Sequence, residues 1–190
     1  MSGERYSSGS GDRFAAERQR WRNARRERPT PLVPGPGQVS VWDFPRPPRL
    51  ERVEARVTVE AGEIPLADSF QTLRVCETSS PPAYYVPASD VRMELLEPSP
   101  RETFCEWKGL ACYWSLNADG KLVKDVAWSY PDPDEPYAAL RHHLAFHAGR
   151  VDRCSVGGAR VVPQPGEYYG GWITPDLVGP FKGEPGSEAW

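Results

Sequence analysis

Twenty-one prolines and seventeen glycines are spread through these 190 residues, and they limit this chain's fold more than any other feature does. Proline removes a backbone donor and clashes in a helix interior, and glycine loses the most conformational freedom on ordering. Helices longer than about three turns therefore have little room. Short strands joined by tight turns are the predicted outcome. An apolar fraction of 39% with seven tryptophans can still fill a core, and the length suits one domain.

The strand pattern begins at Val39. Residues 52–60 alternate Val53, Ala55, Val57 and Val59 against mostly charged neighbours, which predicts one strand with a dry and a wet face. It turns at Ala61-Gly62 and returns over residues 64–68. A second hairpin is predicted from 112–116 and 122–128 around residues 117–120, and a third from 150–156 and 159–162 around Gly157-Gly158. The glycines supply the positive φ that such turns need. Residues 70–78 and 83–86 read as further strands, residues 87–90 as one helical turn, and residues 137–144 as the best interior helix, with Pro136 before Ala138, Ala139 and Leu140. Asp68 and Asp125 follow turns and read as strand-end carboxylates.

Charge divides the chain. Residues 1–31 hold eight arginines against four acids, which leaves the remaining 159 residues at about −7 out of a total of −3. We read 1–38 as a basic, Pro/Gly-rich tail, 39–163 as the β domain and 164–190 as an aromatic Gly/Pro-rich strap. The arginine-rich part of the tail, with Asp12 as candidate cap of a short helix toward Arg26, reads as a solubilising arm before a proline-glycine spacer. Too aromatic to float free, the strap is predicted to lie across its own domain or to join a second copy into a homo-oligomer. There is no apolar run long enough to span a membrane and no apolar core of a signal peptide near residue 1, so a cytoplasmic address is expected. The acidic body also argues against nucleic acid as a partner.

Cys76, Cys105, Cys112 and Cys154 are expected as free thiols in that compartment. Their closest spacing, six residues between Cys105 and Cys112, is no zinc knuckle, so neither metal nor cofactor is expected. The densest chemistry lies at residues 103–115 and 125–131, where a thiol, an ammonium, carboxylates and large rings share two neighbouring strands.

Cys105 is the candidate nucleophile, with Lys108 three residues on as its cation and Glu77 as a carboxylate able to pair with that lysine or move a proton. A nucleophile also needs a base, and His142, His143 and His147 reach Cys105 only if the fold brings them there. Each residue has a plainer reading: a buried small apolar thiol, a turn lysine, a surface glutamate. Tyr84, Tyr85, Trp107, Trp128 and Tyr130 offer flat walls and polar tips for a planar ligand, and Trp114 reads as core.

Val41-Trp-Asp-Phe-Pro-Arg-Pro-Pro48, Glu77-Thr78 through Pro82, Tyr84-Tyr85, Pro87, Asp90-Val91, Cys105 with Lys108-Gly109, Trp128-Ser-Tyr-Pro131 and Arg150-Val-Asp152 run in one order. In that order the chain resembles, over about residues 39–163, the bacterial family catalogued as domain of unknown function 427. The resemblance implies a small, mainly antiparallel β fold and no particular activity. Many relatives carry proline after the cysteine, where this chain has Glu106. Some catalogues file the family under nucleotidyltransferases, but the only D-x-D here, Asp132-Pro-Asp134, sits among prolines and cannot be an interior strand.

The composite expectation is a small-molecule-binding β domain of unidentified ligand, with catalysis left open. The alternatives are a protein-interaction or self-assembly module and, on the family heading alone, a nucleotide-handling transferase.

Overall fold

The computed structural model describes residues 13–118 and 120–190. The candidate cap Asp12, and Asp119 in the second hairpin turn, lie outside the described residues. The chain is mainly β and its strands pair almost entirely antiparallel, in accord with the punctuated sequence. In chain order the main strands are β1 (Arg49–Arg52), β2 (Val57–Ala61), β3 (Ile64–Ser69), β4 (Leu73–Glu77), β5 (Ser80–Pro87), β6 (Leu96–Cys105), β7 (Gly109–Ala118), β8 (Lys121–Ser129), β9 (His143–Phe146), β10 (Arg153–Val156) and β11 (Ala159–Arg160).

A seven-stranded sheet runs β1-β4-β5-β9-β8-β7-β6, and a four-stranded sheet runs β11-β10-β2-β3. The two pack face to face over a core of Val57, Val59, Leu66, Tyr84, Val86, Leu116, Val126, Leu144, Phe146 and Trp172. Side chains alternate along a strand, so the other face of the large sheet carries a different set: Val75, Tyr85, Trp107, Tyr113, Trp128, Tyr130, Tyr137 and Ala145. That outer face holds the cavity described below.

The three predicted hairpins are present, with Gly62, Gly120, Gly157 and Gly158 all at positive φ. Two local predictions fail. The alternating stretch 52–60 is not one strand: β1 ends at Arg52, the chain bends, and β2 starts at Val57 in the other sheet, while the Val53 amide bonds to the Thr72 carbonyl. The predicted helix at 137–144 is a 3-10 segment, Glu135–Leu140, that gives way to β9, where His143 pairs with Pro87 and Leu144 with Val86 and Ser129. Pairing between two strands that both need a partner outweighs a helix preference of a few tenths of a kcal/mol per residue.

The described parts of both tails lie against the sheets. A helix, Ala15–Arg22, rests on the β6–β7 turn, with Phe14 stacked on Phe104 at 4.3 Å. The arm is therefore a packed element rather than a free solubilising tail. The strap adds two-residue strands, Trp172–Ile173 against Val162–Pro163 and Leu177–Val178 against Val39–Ser40, and buries Trp172 and Leu177 in its own chain. No helix among the described residues is long and apolar enough to cross a membrane.

Candidate functional site

One cross-strand row organises the outer face. Leu73 pairs with Tyr85, Tyr85 with Ala145, Ala145 with Trp128, and Trp128 with Tyr113, so five strands present these side chains in line. The indole Nε1 of Trp128 donates to the Tyr85 hydroxyl at 3.3 Å, reaching over the small Ala145 between them. Tyr113 shares a hydrogen bond with Thr103 Oγ1 at 3.0 Å.

At one end of this row β6 and β7 close on each other, Cys105 opposite Gly109. Gly109 has φ +90, a conformation that glycine adopts without a steric penalty, and the turn aims the Lys108 side chain inward. Its ammonium lies 5.6 Å from the Tyr130 ring centroid and 5.9 Å from that of Tyr137, with Cys105 close enough to act on its charge. Together these groups line a cavity of about 630 Å³, with Glu77, Tyr85, Cys105, Lys108, Trp128 and Tyr130 all on its wall.

Six of the eight predicted site residues thus converge. The other two need correction. Tyr84 points to the opposite face of β5, where it stacks on Trp172 at 5.1 Å inside the core. Trp107 is buried at the outside of the β6–β7 turn beneath Arg22 and Arg46, and does not line the cavity. Trp114, predicted as core, is half-buried against it and donates to Ser129.

Several lining residues were not predicted. Glu106 enters the same space as Cys105 because β6 ends at Cys105; in a turn the strand rule of opposite faces no longer applies. It is a hub: Arg46 bridges it (2.6 Å) to Glu77 (2.5 Å), Arg26 approaches at 3.4 Å, and Arg18 and Arg22 donate to its carbonyl. From the other side come Tyr168, Tyr169, Gly170, Gly171 and Lys182 of the strap. Gly170 sits so close to Trp128 and His147 that a Cβ there would lie 2.4 Å from the indole, and Gly171 would meet Pro81 and Gln164 in the same way.

Electrostatics distinguishes the lining groups. Lys108 is 7% exposed, and among the described residues no side-chain carboxylate makes an ion pair with it. Burial disfavours its ammonium, but Cys105, Tyr85 and Glu77 outweigh that and hold it above its ordinary range, so it is a cation at neutral pH. Burial raises the Tyr85 and Tyr130 phenols, which stay neutral. His147, 5% exposed at the far wall, is pushed down to about 4 by burial and then by Arg150 and Arg101, and its buried Nε2 has no hydrogen-bond partner. Of the three histidines it alone lines the cavity.

All four cysteines are free thiols. Burial pushes Cys76 up to about 11 and Cys154 up to about 12, so both are held protonated, whereas Cys105 opens on the cavity. Asp68 sits near the end of β3 as predicted and pairs with Arg56, whereas Asp125 lies in the middle of β8, at an irregularity with φ +53, and engages Ser99, Arg101 and Arg150. The D-x-D aspartates stand outside the cavity, Asp132 with Arg141 and Asp134 with Arg18.

No curated protein matches the chain. A family model matches residues 49–157, more than half of the length, and this span carries the seven-stranded sheet and the Cys105–Lys108 turn. The chain is therefore a member of the family described as Domain of unknown function (DUF427).

Proposed function

We propose that this cavity binds a small, partly aromatic organic anion, with its acidic group at Lys108 and its ring against Tyr85, Trp128 and Tyr130. The observation that carries the reading is a buried ammonium set among a thiol and phenol rings with no ion pair of its own, Glu77 acting on it from a distance while paired with Arg46. Desolvating a charge costs several kcal/mol, and a structural lysine would regain that from a partner. Here the partner position faces an open hollow. An anion 4 Å away at an effective dielectric of about 20 would contribute roughly 4 kcal/mol, enough to select an acid over its neutral isostere. Such an acid would also lie beside the Cys105 sulfur.

The test is thermal unfolding with paired compounds, benzoate against benzamide and phenyl phosphate against phenol, on the wild type, Lys108→Met and Cys105→Ser. The acids should raise the midpoint of the wild type and of Cys105→Ser but not of Lys108→Met. The reading fails if neutral members stabilise equally, or if Lys108→Met responds like the wild type. Intact-mass measurement on the phenyl phosphate samples reports whether the Cys105 sulfur takes the phosphoryl group with release of phenol or the binding is reversible.

A further inference from the structure

Strand β6 ends at Cys105, and the turn that follows brings three reactive groups onto the wall of one cavity: the Cys105 thiol, the Glu106 carboxylate and the Lys108 ammonium. We infer that these three form a hydrolytic centre that cleaves an ester of an aromatic carboxylic acid, with Cys105 as nucleophile, Glu106 as proton carrier and Lys108 as the cation facing the developing oxyanion. This inference rests on the reading of the Lys108 cavity as a site for an aromatic acid. It deepens that reading by making the bound acid the product of a reaction.

Three observations carry it. First, Glu106 is held asymmetrically: its Oε1 accepts from Arg46 at 2.6 Å and from Arg26 at 3.4 Å, while its Oε2 accepts from the Cys105 Sγ at 4.0 Å. A nucleophile beside a base that is itself fixed by a further group is the general arrangement of an activated thiol, and such contacts are loose before substrate binds. Glu77 is turned to Arg46 and His147 stands at the far wall, so Glu106 is the carboxylate in contact with the sulfur. Second, Lys108 is 7% exposed, lines the same hollow and makes no ion pair of its own among the described residues. A fixed cation in a water-poor site is worth most where negative charge develops during a reaction. Third, Tyr85, Trp128 and Tyr130 wall the cavity, and its volume of about 630 Å³ has room for both halves of an aryl ester.

The chemistry balances on these groups and one water. A sulfur lone pair attacks the carbonyl carbon as the thiol proton passes to Glu106 Oε2, and the C=O π pair moves onto oxygen beside Lys108. When that pair returns, the C–O bond breaks and the departing alkoxide takes the proton from Glu106, leaving an acyl thioester on Cys105. Water then attacks the thioester carbonyl and gives a proton to Glu106. The C–S bond breaks, the thiolate regains that proton, and the acid ionises to solvent with its carboxylate against Lys108.

The test follows phenol release from phenyl benzoate by the full chain, with benzoate as competitor and intact mass on acid-quenched samples. The wild type should turn over repeatedly and saturably, benzoate should inhibit competitively, and quenched samples should carry a benzoyl group that Cys105→Ser lacks. Cys105→Ser should lose turnover, and Glu106→Gln should lower kcat by about 10²-fold or more while still binding benzoate. Lys108→Met should lower kcat by roughly 10²- to 10³-fold and lose the inhibition by benzoate. Cys112→Ser, on β7 and off the cavity wall, should match the wild type. Circular dichroism establishes that each variant is folded. Should Glu106→Gln fail to fold, Glu106→Asp keeps the charge toward the arginines but withdraws it from the sulfur, and should show the same loss of kcat. If benzoate binds but the wild type releases no phenol, or if Cys105→Ser or either Glu106 variant stays within about threefold of the wild type, the hydrolytic centre is refuted while the Lys108 reading stands. If neither benzoate nor the ester binds, both readings fall.

Discussion

Tyr84 and Tyr85 are adjacent in sequence and lie on opposite faces of the same sheet. Tyr84 stacks on Trp172 among Leu66, Val126 and Phe146, where two sheets interlock. Tyr85 faces a hollow shared with a thiol, a lone ammonium and an imidazole whose Nε2 has no partner. The inner face follows the rule that interiors are close-packed and polar atoms satisfied. The outer face departs from it at the cavity, where several polar groups converge. Such departures mark sites more reliably than composition does, because nothing in folding alone selects for them.

That contrast can be broken by substitution. The largest effect belongs to the inner face: Phe146→Ala should lose about 3–5 kcal/mol of stability by urea unfolding, since a fully buried ring leaves a cavity between two sheets. Loss of under about 1 kcal/mol would mean that the sheets are loosely packed.

Next is a pH effect at the outer face. His147 has a folded value of about 4 against 6.5 ordinarily, so the unfolded chain binds the extra proton first. Its stabilising contribution is complete above pH 6.5 and is lost as pH falls toward 4, by an amount on the order of 2–3 kcal/mol. His147→Gln should flatten the stability profile in that window, and an unchanged slope would show that the imidazole is not held neutral.

Lys108→Met should abolish anion binding while lowering stability by no more than about 1–2 kcal/mol, because the folded protein already holds that ammonium above its ordinary value. A larger loss in urea unfolding would make Lys108 structural and undo the distinction between the faces.

Smallest of all, Tyr85→Phe gives up one 3.3 Å bond from the Trp128 indole and should cost about 1 kcal/mol.

Much of this was legible in the sequence, for local reasons. Turn glycines at 62, 120 and 157–158 mark hairpins because positive φ is a property of one residue. The Cys105–Lys108 turn was legible because its chemistry sits within four residues. The failures are non-local. The alternation of Val53, Ala55, Val57 and Val59 reports which side is dry, not whether the strand continues, and the chain passes from one sheet to the other in the middle of it. Ala138 to Leu140 carry helix preference, but residue 143 begins a strand that two neighbours require. Trp107, predicted to line the pocket, stays out of it and Glu106 enters it because the strand stops at Cys105. Arg26, Arg46, His147 and Lys182 share no spacing, and only the packing of arm and strap brings them to one opening.

Gly170 leaves no clearance between the strap and the cavity wall. The strap is further fixed where the Gly171 amide donates to the Gln164 side chain at 2.9 Å. An occupant that tilts the Trp128 indole must therefore lift the backbone at 170–171, and one that locks the indole must pin it. Whether the hollow is filled is thus transmitted to a buried, hydrogen-bonded amide, and deuterium uptake at Gly171 becomes a gauge of occupancy by the proposed ligand.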